Sequence, residues 1–464
     1  MSEGMITVVR AFDREPVAEL HRTPFAKVNQ WLDEMVRLHR DRAWLPAYER
    51  RAILLRLAAL MRAERGDLAM TIALEGGKPL VDARVEADRA ILGVELAASE
   101  IERLSGTQIP MDLSPSGAGR IAFTRPEPIG TVVAISAFNH PLNLIVHQVA
   151  PAIATGCPVI VKPADVTPLS AKRFVELAYE AGLPEAWCRL ALLDIPEAEK
   201  LATDPRVSFL SFIGSAKVGW HLRSRLAPGT RCALEHGGAA PVVLLPDADL
   251  DEAIPLLVKG GYYHSGQICV SVQRIFAHRS LLSEIEARLA DAVAALVVGD
   301  PALDTTDAGP LILPREVLRV SEWVKEAIDA GAHVATGGDV ISETCFAPTV
   351  LIEPPVDARV STSEIFGPVT CLYGYDDETE AVARANALPF AFQSAVFGRD
   401  VDRVLGIAGR LAGSAVMIND HTAFRTDWMP FAGLRQSGLG TGGIGHTMAD
   451  MSVNKVTVFN YRVS

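Results

Sequence analysis

The sequence predicts an α/β protein: a doubly wound parallel-sheet domain, a second αβ domain and a small β element. Three observations carry that expectation. The 464 residues exceed one ordinary core, and at about 100–200 residues per domain two or three are expected. Short, continuously apolar runs such as TVVAIS, PVIVKP and VSFLS alternate with helical stretches, the order of buried parallel strands and crossover helices. Hydrophobic residues make up 49% and charged residues 22%, the profile of a globular chain without low-complexity segments.

Each element has a local reason. From 26 to 105 apolar residues recur three and four apart, Gly76 and Gly77 mark a stop, and a new helix begins near Pro79. Between 107 and 130, GRIAFTRPEPIG alternates and holds two prolines, which predicts an extended arm. TVVAIS, LNLIVHQVAPAIATG and PVIVKP then read as strand, helix, strand. SAKRFVELAYEAGLP, VSFLSFIG, SAKVGWHLRSRLA, RCALEHGG and APVVLLP extend this to a doubly wound sheet from about 130 to 240. A second block joins the helix DLDEAIPLLVKGGYYHSGQ, the strand SVQRIFAH, the helix SLLSEIEARLADAVAAL and the strands PTVLIEPP, SEIFGPVTCLYGY and SAVFGR. The tail NKVTVFNYRV alternates as an edge strand does.

Composition excludes several function classes. A net charge of -12 argues against nucleic-acid or anionic-membrane partners, which need a basic face. The six cysteines form no CxxC, and no His pair has zinc spacing, so no metal site is expected. Widely spaced cysteines in a core-rich chain suit a reducing cytoplasm rather than a disulfide framework. MSEGMITVVR lacks a signal pattern, and no apolar run approaches the roughly 20 residues that span a bilayer.

Several short strings could carry chemistry, and each has a plainer reading. Cys269 in GQICVSVQ is a nucleophile or one more buried thiol. FIGSAKVG lies between a strand and a helix, where Gly214 permits close backbone approach and Ser215 sits near a helix N-terminus; it is a pyrophosphate cradle or an ordinary capped turn. Lys162 and Asp165 of KPAD stand at a strand's C-terminal end, where ribose hydroxyls bind in open sheets, or form a solvated charge pair. Asn139 of AFNHPLN donates to an oxyanion or only shapes a turn. Glu235 of LEHGG is a desolvated general base or a surface glutamate. Glu364 and Phe366 of EIFGPV border a cofactor or belong to the core. GTGGIG at 440–445 fits a dinucleotide fingerprint but lacks the preceding strand and following βαβ unit, so it is read as a decoy.

Taken in order, these strings resemble the aldehyde dehydrogenase superfamily over nearly the whole chain. AFNHPLN, KPAD, FIGSAKVG, LEHGG, GQIC, EIFGPV and PFAGLRQSGLG are similar to its successive motifs, and Arg274 falls where the family carries an arginine. The resemblance implies an NAD-binding domain at 1–106 and 129–237, a catalytic domain at 238–436, and an oligomerisation element at 107–128 and 449–464. It implies that Cys269 attacks an aldehyde, that Asn139 and the Cys269 N–H hold the oxyanion, and that Glu235 activates the water that hydrolyses the thioester. Lys162, Asp165, Gly214, Ser215, Glu364 and Phe366 would bind the cofactor. NAD is expected over NADP, because Asp165 would repel a 2′-phosphate.

Four departures bear on this. Asp165 is shorter than the family's glutamate, and His236 follows Glu235 in place of leucine. Ala432 interrupts a double glycine, and Ile213 stands where many members carry threonine. Around the substrate, His140, Ile268, Val270, Phe424 and Arg425 are the expected pocket residues, with Trp428 as an outer contact. The loop INDHTAFRTDWMP is nearest the branch acting on lactaldehyde, phosphonoacetaldehyde and similar small polar aldehydes. Arg425 would then pair with an anionic group, while Phe424 and Trp428 equally permit an aromatic aldehyde. The arm and tail imply a homodimer or homotetramer built by sheet extension. A CoA-acylating semialdehyde dehydrogenase and a non-catalytic binding protein of the same fold are the alternatives.

Overall fold

The computed structural model describes residues 4–461; positions 1–3 and 462–464 of the expected segments lie outside the described residues. The chain opens on an antiparallel hairpin, Met5–Val9 with Pro16–His21, that the sequence analysis does not anticipate. Its connection, RAFDRE, has no standard hairpin turn pair, and Ile6 and Val8 are held instead by packing on the distant Leu192. The helical layer follows as Phe25–Arg40, Ala47–Ala63, Arg65–Gly76 and Leu80–Glu100. Gly77 ends the third helix in the left-handed region at φ 74°, and Pro79 precedes the fourth, as the spacing predicts.

Six strands form the first sheet, in the order Gly438–Leu439, Arg231–Glu235, Phe209–Ile213, Val132–Ile135, Val159–Lys162 and Cys188–Leu190. The last five are parallel, and only Gly438–Leu439 runs antiparallel. The chain enters at Val132–Ile135, moves outward on one side, then crosses to the other at Phe209–Ile213. Those two adjacent strands are the switch point of the sheet. Helices cover both faces and make two separate cores, one around Leu57, Val94 and Val149, the other around Leu32, Val133 and Leu210.

Ala240–Leu244, which the βα count places in this first sheet, belongs to the second. That sheet has seven strands, in the order His333–Thr336, Thr349–Ile352, Val369–Tyr375, Val272–His278, Ala240–Leu244, Gln393–Phe397 and Ala415–Ile418. All pair in parallel except His333–Thr336. Periodicity could not decide which sheet a short apolar strand joins, because a buried strand looks the same in either. The small β element is as expected: Ser452–Asn460 pairs antiparallel with Arg120–Pro128 along nine residues, with Gln108–Ile109 on the far side. Among the described residues no helix is long and apolar enough to cross a membrane.

Candidate active site

The two sheets face each other across a cleft of about 450 Å³. Its first wall is the switch point itself, Ile135–Phe138 and Phe212–Ser215, at the C-terminal ends of the two strands. Ligands bind there in open α/β sheets because the strands' connections diverge and leave a crevice. Ser215 is the N-cap residue of the helix Ala216–Arg225, yet its hydroxyl makes no capping bond. The helix start therefore keeps its partial positive charge available to an anion. Across the cleft, Gln273 holds the segment carrying Glu364 and Phe366, donating to Val360 O and Ser363 O and accepting from Ile365 N. Phe366 meets Phe138 edge-on at 5.9 Å, and Glu364 Oε1 is buried without a partner. Burial pushes the Glu364 carboxyl up to about 8. A phosphate-ready helix start, an apolar wall and an orphaned carboxyl oxygen together fit a nicotinamide dinucleotide.

Of the KPAD run only Ala164 lines the cleft; Lys162 and Asp165 lie beside it and pair with each other, Lys162 Nζ donating to Asp165 Oδ1 at 2.6 Å. A second cation, which the sequence analysis does not single out, reaches the same carboxylate: Arg22 Nη2 donates to Asp165 Oδ2 at 3.2 Å.

A second cavity, beside Glu235, gathers the three residues expected to react: Cys269, Asn139 and Glu235. Asn139 Nδ2 donates to Gln267 O at 3.0 Å, which leaves its second hydrogen free near the nucleophile's turn. Gln267 in turn ties that turn to residues 310–312, donating to Pro310 O and accepting from Ile312 N. Glu235 ends its strand on the border between cleft and cavity and lines both. The GTGGIG run is a decoy as a fingerprint, but it has a different use. A Cβ on Gly442 would lie 2.3 Å from Glu235 Oε1, so glycine there makes room for the carboxylate. Gly442 joins Phe431 by a pair of backbone hydrogen bonds.

Electrostatics separate the groups. Burial, then the charges of Glu364 and Glu235, push the Cys269 thiol up to about 12, while Arg425 pulls the other way. Burial also raises Glu235 above the usual carboxylate range, opposed by Arg425. His236 does not contribute to that shift. Its Nδ1–H donates to Gly214 O at 2.8 Å, so it pins the Glu235 strand to the cofactor turn instead of perturbing the base.

Two polar networks build the cavity's far wall. In the first, Lys78 and Glu86 pair while fully buried, and Lys78 Nζ lies 2.8 Å from His140 Nδ1. Burial would raise Glu86, but the Lys78 charge and its hydrogen bonds hold it well below the usual carboxylate range. Glu86 also accepts from Leu142 N and Asn143 N, capping the helix Asn143–Thr155. Burial and the Lys78 charge lower His140 to about 4, so the ring is neutral. The ammonium donates to Nδ1, which leaves the hydrogen on Nε2.

In the second network, Asp427 accepts two bonds from Arg89, at 2.8 and 3.1 Å, and one from His147 Nε2 at 2.8 Å. Arg425 Nη2 donates to His147 Nδ1 at 3.4 Å, its guanidinium sits 3.6 Å over the Phe431 ring, and its Nε is buried unpaired. Asp427 is already matched by Arg89, and Arg425 makes no ion pair within 4.0 Å among the described residues. The opposing charges act on it from beyond that distance, Glu235 foremost.

Ile268 and Val270 flank Cys269 in an apolar cluster with Phe392 and Phe431, as expected. Phe424 does not: it is exposed, and the cavity is lined by its neighbours Ala423 and Arg425. The loop turns alternate side chains inward and outward, and Trp428 likewise lies on the surface. Arg274 is structural. It is buried and donates to the carbonyls of Ala239, Arg384 and Ala385. Gln267, Gly442, Arg89, His147, Asp427 and the Lys78–Glu86 pair were missed. Only the two histidines seven apart, at 140 and 147 beside the AFNHPLN motif, offered a signal in the sequence.

The aldehyde dehydrogenase family description matches residues 1–457, and the chain belongs to that family. A 3-sulfolactaldehyde dehydrogenase from Priestia aryabhattai is 34% identical over 414 residues, covering 89% of this chain and 86% of that one. Aldehyde dehydrogenase 21 from Physcomitrella patens, solved with its reaction product succinate, superposes with a TM-score of 0.95 at 34% identity, covering 99% and 95% of the two chains. A glyceraldehyde-3-phosphate dehydrogenase from Methanocaldococcus jannaschii, solved with NADP, gives a TM-score of 0.94 at 31% identity, covering 99% and 100%.

Proposed function

We propose that this protein oxidises a small acidic aldehyde to its carboxylic acid with a nicotinamide dinucleotide. One observation carries the reading: a single cavity joins Cys269, Asn139 and Glu235 to the guanidinium of Arg425, which has no direct ion pair among the described residues. The Cys269 sulfur, after giving its proton to water, bonds to the aldehyde carbon. The oxygen gathers negative charge and accepts hydrogen bonds from the free Asn139 amide hydrogen and the Cys269 N–H. When bound, the dinucleotide supplies the hydride acceptor; Gly214, Ser215, Glu364 and Phe366 line its cleft, with Lys162 and Asp165 toward its ribose. Glu235 takes a proton from water, the hydroxide attacks the thioester carbon, and the carbon–sulfur bond breaks to release the acid. Because Glu235 reaches both cleft and cavity, it meets water without displacing either bound molecule. A water-activating carboxylate so placed favours hydrolysis over transfer to CoA.

The acidic substrate follows from charge. A half-buried guanidinium without a direct ion pair is costly, and a substrate anion offsets that cost. The Nε2–H of His140 supplies a second donor, while Ile268 and Val270 keep the rest of the wall apolar. The relatives named for 3-sulfolactaldehyde and solved with succinate support the same class. Arg425→Met is expected to lower kcat/KM for a carboxylated or sulfonated aldehyde by about 100-fold, the scale of losing one buried charge-assisted contact. Propanal should lose clearly less, because it feels only the loss of the pull that Arg425 exerts on the Cys269 and Glu235 protons. An equal loss on both would sink the acidic reading.

The exposed strand Ser452–Asn460 supports assembly of copies through the small sheet. It is an edge strand whose Val456, Val458 and Phe459 face solvent, a liability that pairing removes. Light scattering at micromolar concentration should give a mass of two or four chains; the mass of one would refute this. The six thiols are all free, which supports a reducing compartment such as the cytoplasm.

A further inference from the structure

We infer that Arg22 makes the ribose end of the cofactor cleft accept a 2′-phosphate, so that NADP is used alongside or ahead of NAD. This rests on the dinucleotide reading above and changes the preference that Asp165 alone implies.

An unshielded carboxylate at this place discriminates against NADP by repulsion, and it binds the NAD ribose hydroxyl. Asp165 is not unshielded. Lys162 takes Oδ1 at 2.6 Å and Arg22 takes Oδ2 at 3.2 Å. Two cations around one carboxylate leave a net positive charge at the cluster. Arg22 keeps donor capacity: Nη2 makes one bond only, and Nη1, itself buried, has no hydrogen-bond partner. The side chain remains 30% exposed, so it is not sealed in the core.

The placement is built rather than incidental. Arg22 follows the strand Pro16–His21, its N–H donates to Gly4 O, and the next residue is locked to the segment just after the edge strand Cys188–Leu190 by Thr23 N to Leu192 O and Leu192 N to Thr23 Oγ1. The amino-terminal hairpin thereby delivers a guanidinium to the edge of KPAD, 143 residues away in sequence. A planar guanidinium binds phosphate oxygens in pairs, which suits a terminal 2′-phosphate better than a lone ammonium does.

The test separates nucleotide binding from turnover. 2′,5′-ADP and 5′-AMP are titrated by calorimetry into the wild-type protein, Arg22→Ala and Arg22→Lys, with thermal unfolding as a control on folding. Wild type should bind 2′,5′-ADP at least as tightly as 5′-AMP. Arg22→Ala should weaken 2′,5′-ADP about tenfold or more, the scale of one charge-assisted phosphate contact, and change 5′-AMP little. Arg22→Lys should fall between. The NADP/NAD ratio of kcat/KM should follow the same order. An affinity ratio unchanged in Arg22→Ala, or wild type binding 5′-AMP but not 2′,5′-ADP, overturns the role of Arg22 alone. Failure of wild type to bind either nucleotide or NADH overturns the dinucleotide reading and this inference with it.

Discussion

Cys269→Ala should lower the turnover of any aldehyde by about 10⁴-fold or more, the scale of removing a covalent nucleophile, with the unfolding transition preserved. The expectation rests on position. Cys157, Cys188, Cys345 and Cys371 are buried in the protein, and Cys232 lies outside the cavity that Cys269 lines. The same cavity sets a pH dependence. The thiol is pushed up to about 12 by burial and by two carboxylates, so it rests protonated at neutral pH. A raised thiol pKa means that reactivity grows as pH rises. Labelling of Cys269 by iodoacetamide should therefore increase about tenfold per pH unit between roughly pH 6 and 9. Turnover retained at the wild-type rate in the variant would remove Cys269 from the mechanism. Labelling that is fast and flat across that range would show the thiolate to be stabilised by something other than the groups named here.

Glu235→Gln should separate the two halves of the reaction. Attack by Cys269 does not need a base for water, so one equivalent of reduced cofactor should form in a burst. Release of the acid does need it, and steady-state turnover should drop about 10²–10⁴-fold, the range for a general base. Mass spectrometry of the quenched protein should find the acyl group on Cys269. Added CoA should not restore turnover in the wild-type-like manner a CoA-acylating enzyme would require. A variant with unchanged steady-state rate would assign water activation elsewhere. Because Gly442 leaves no gap beside the Glu235 carboxylate, glutamine is the substitution of choice: it keeps shape and removes charge.

Much of this site was legible in the primary structure, for a definite reason. Asn139, Gly214, Ser215, Glu235 and Cys269 stand at strand ends or beside helix starts, where local patterning and turn chemistry mark a position. Their order along the chain then matched one family. What was not legible lies across the fold from its partners. Gly442 reads as a fragment of a phosphate loop until Glu235 is seen against it. Phe424 and Arg425 are equal candidates in a loop whose strand-like alternation was hidden, and only Arg425 faces the cavity. His236 follows Glu235 directly in sequence, yet its ring donates to Gly214 O, a contact that adjacency does not reveal.

By itself, the sequence determined the α/β class, the helical layer that follows the hairpin, and the arm and tail, all from periodicity. The three residues proposed to react came from the ordered motifs and the resemblance they carry. The tertiary structure alone decided that Phe424 turns to the surface while Arg425 lines the cavity without a direct ion pair, and that Arg22 stands on Asp165. Charge compensation is the physical reason. Whether a buried or half-buried ion is free to bind a ligand depends on what lies within a few ångströms of it, and those neighbours come from 143 residues away for Arg22 and 278 for Arg425.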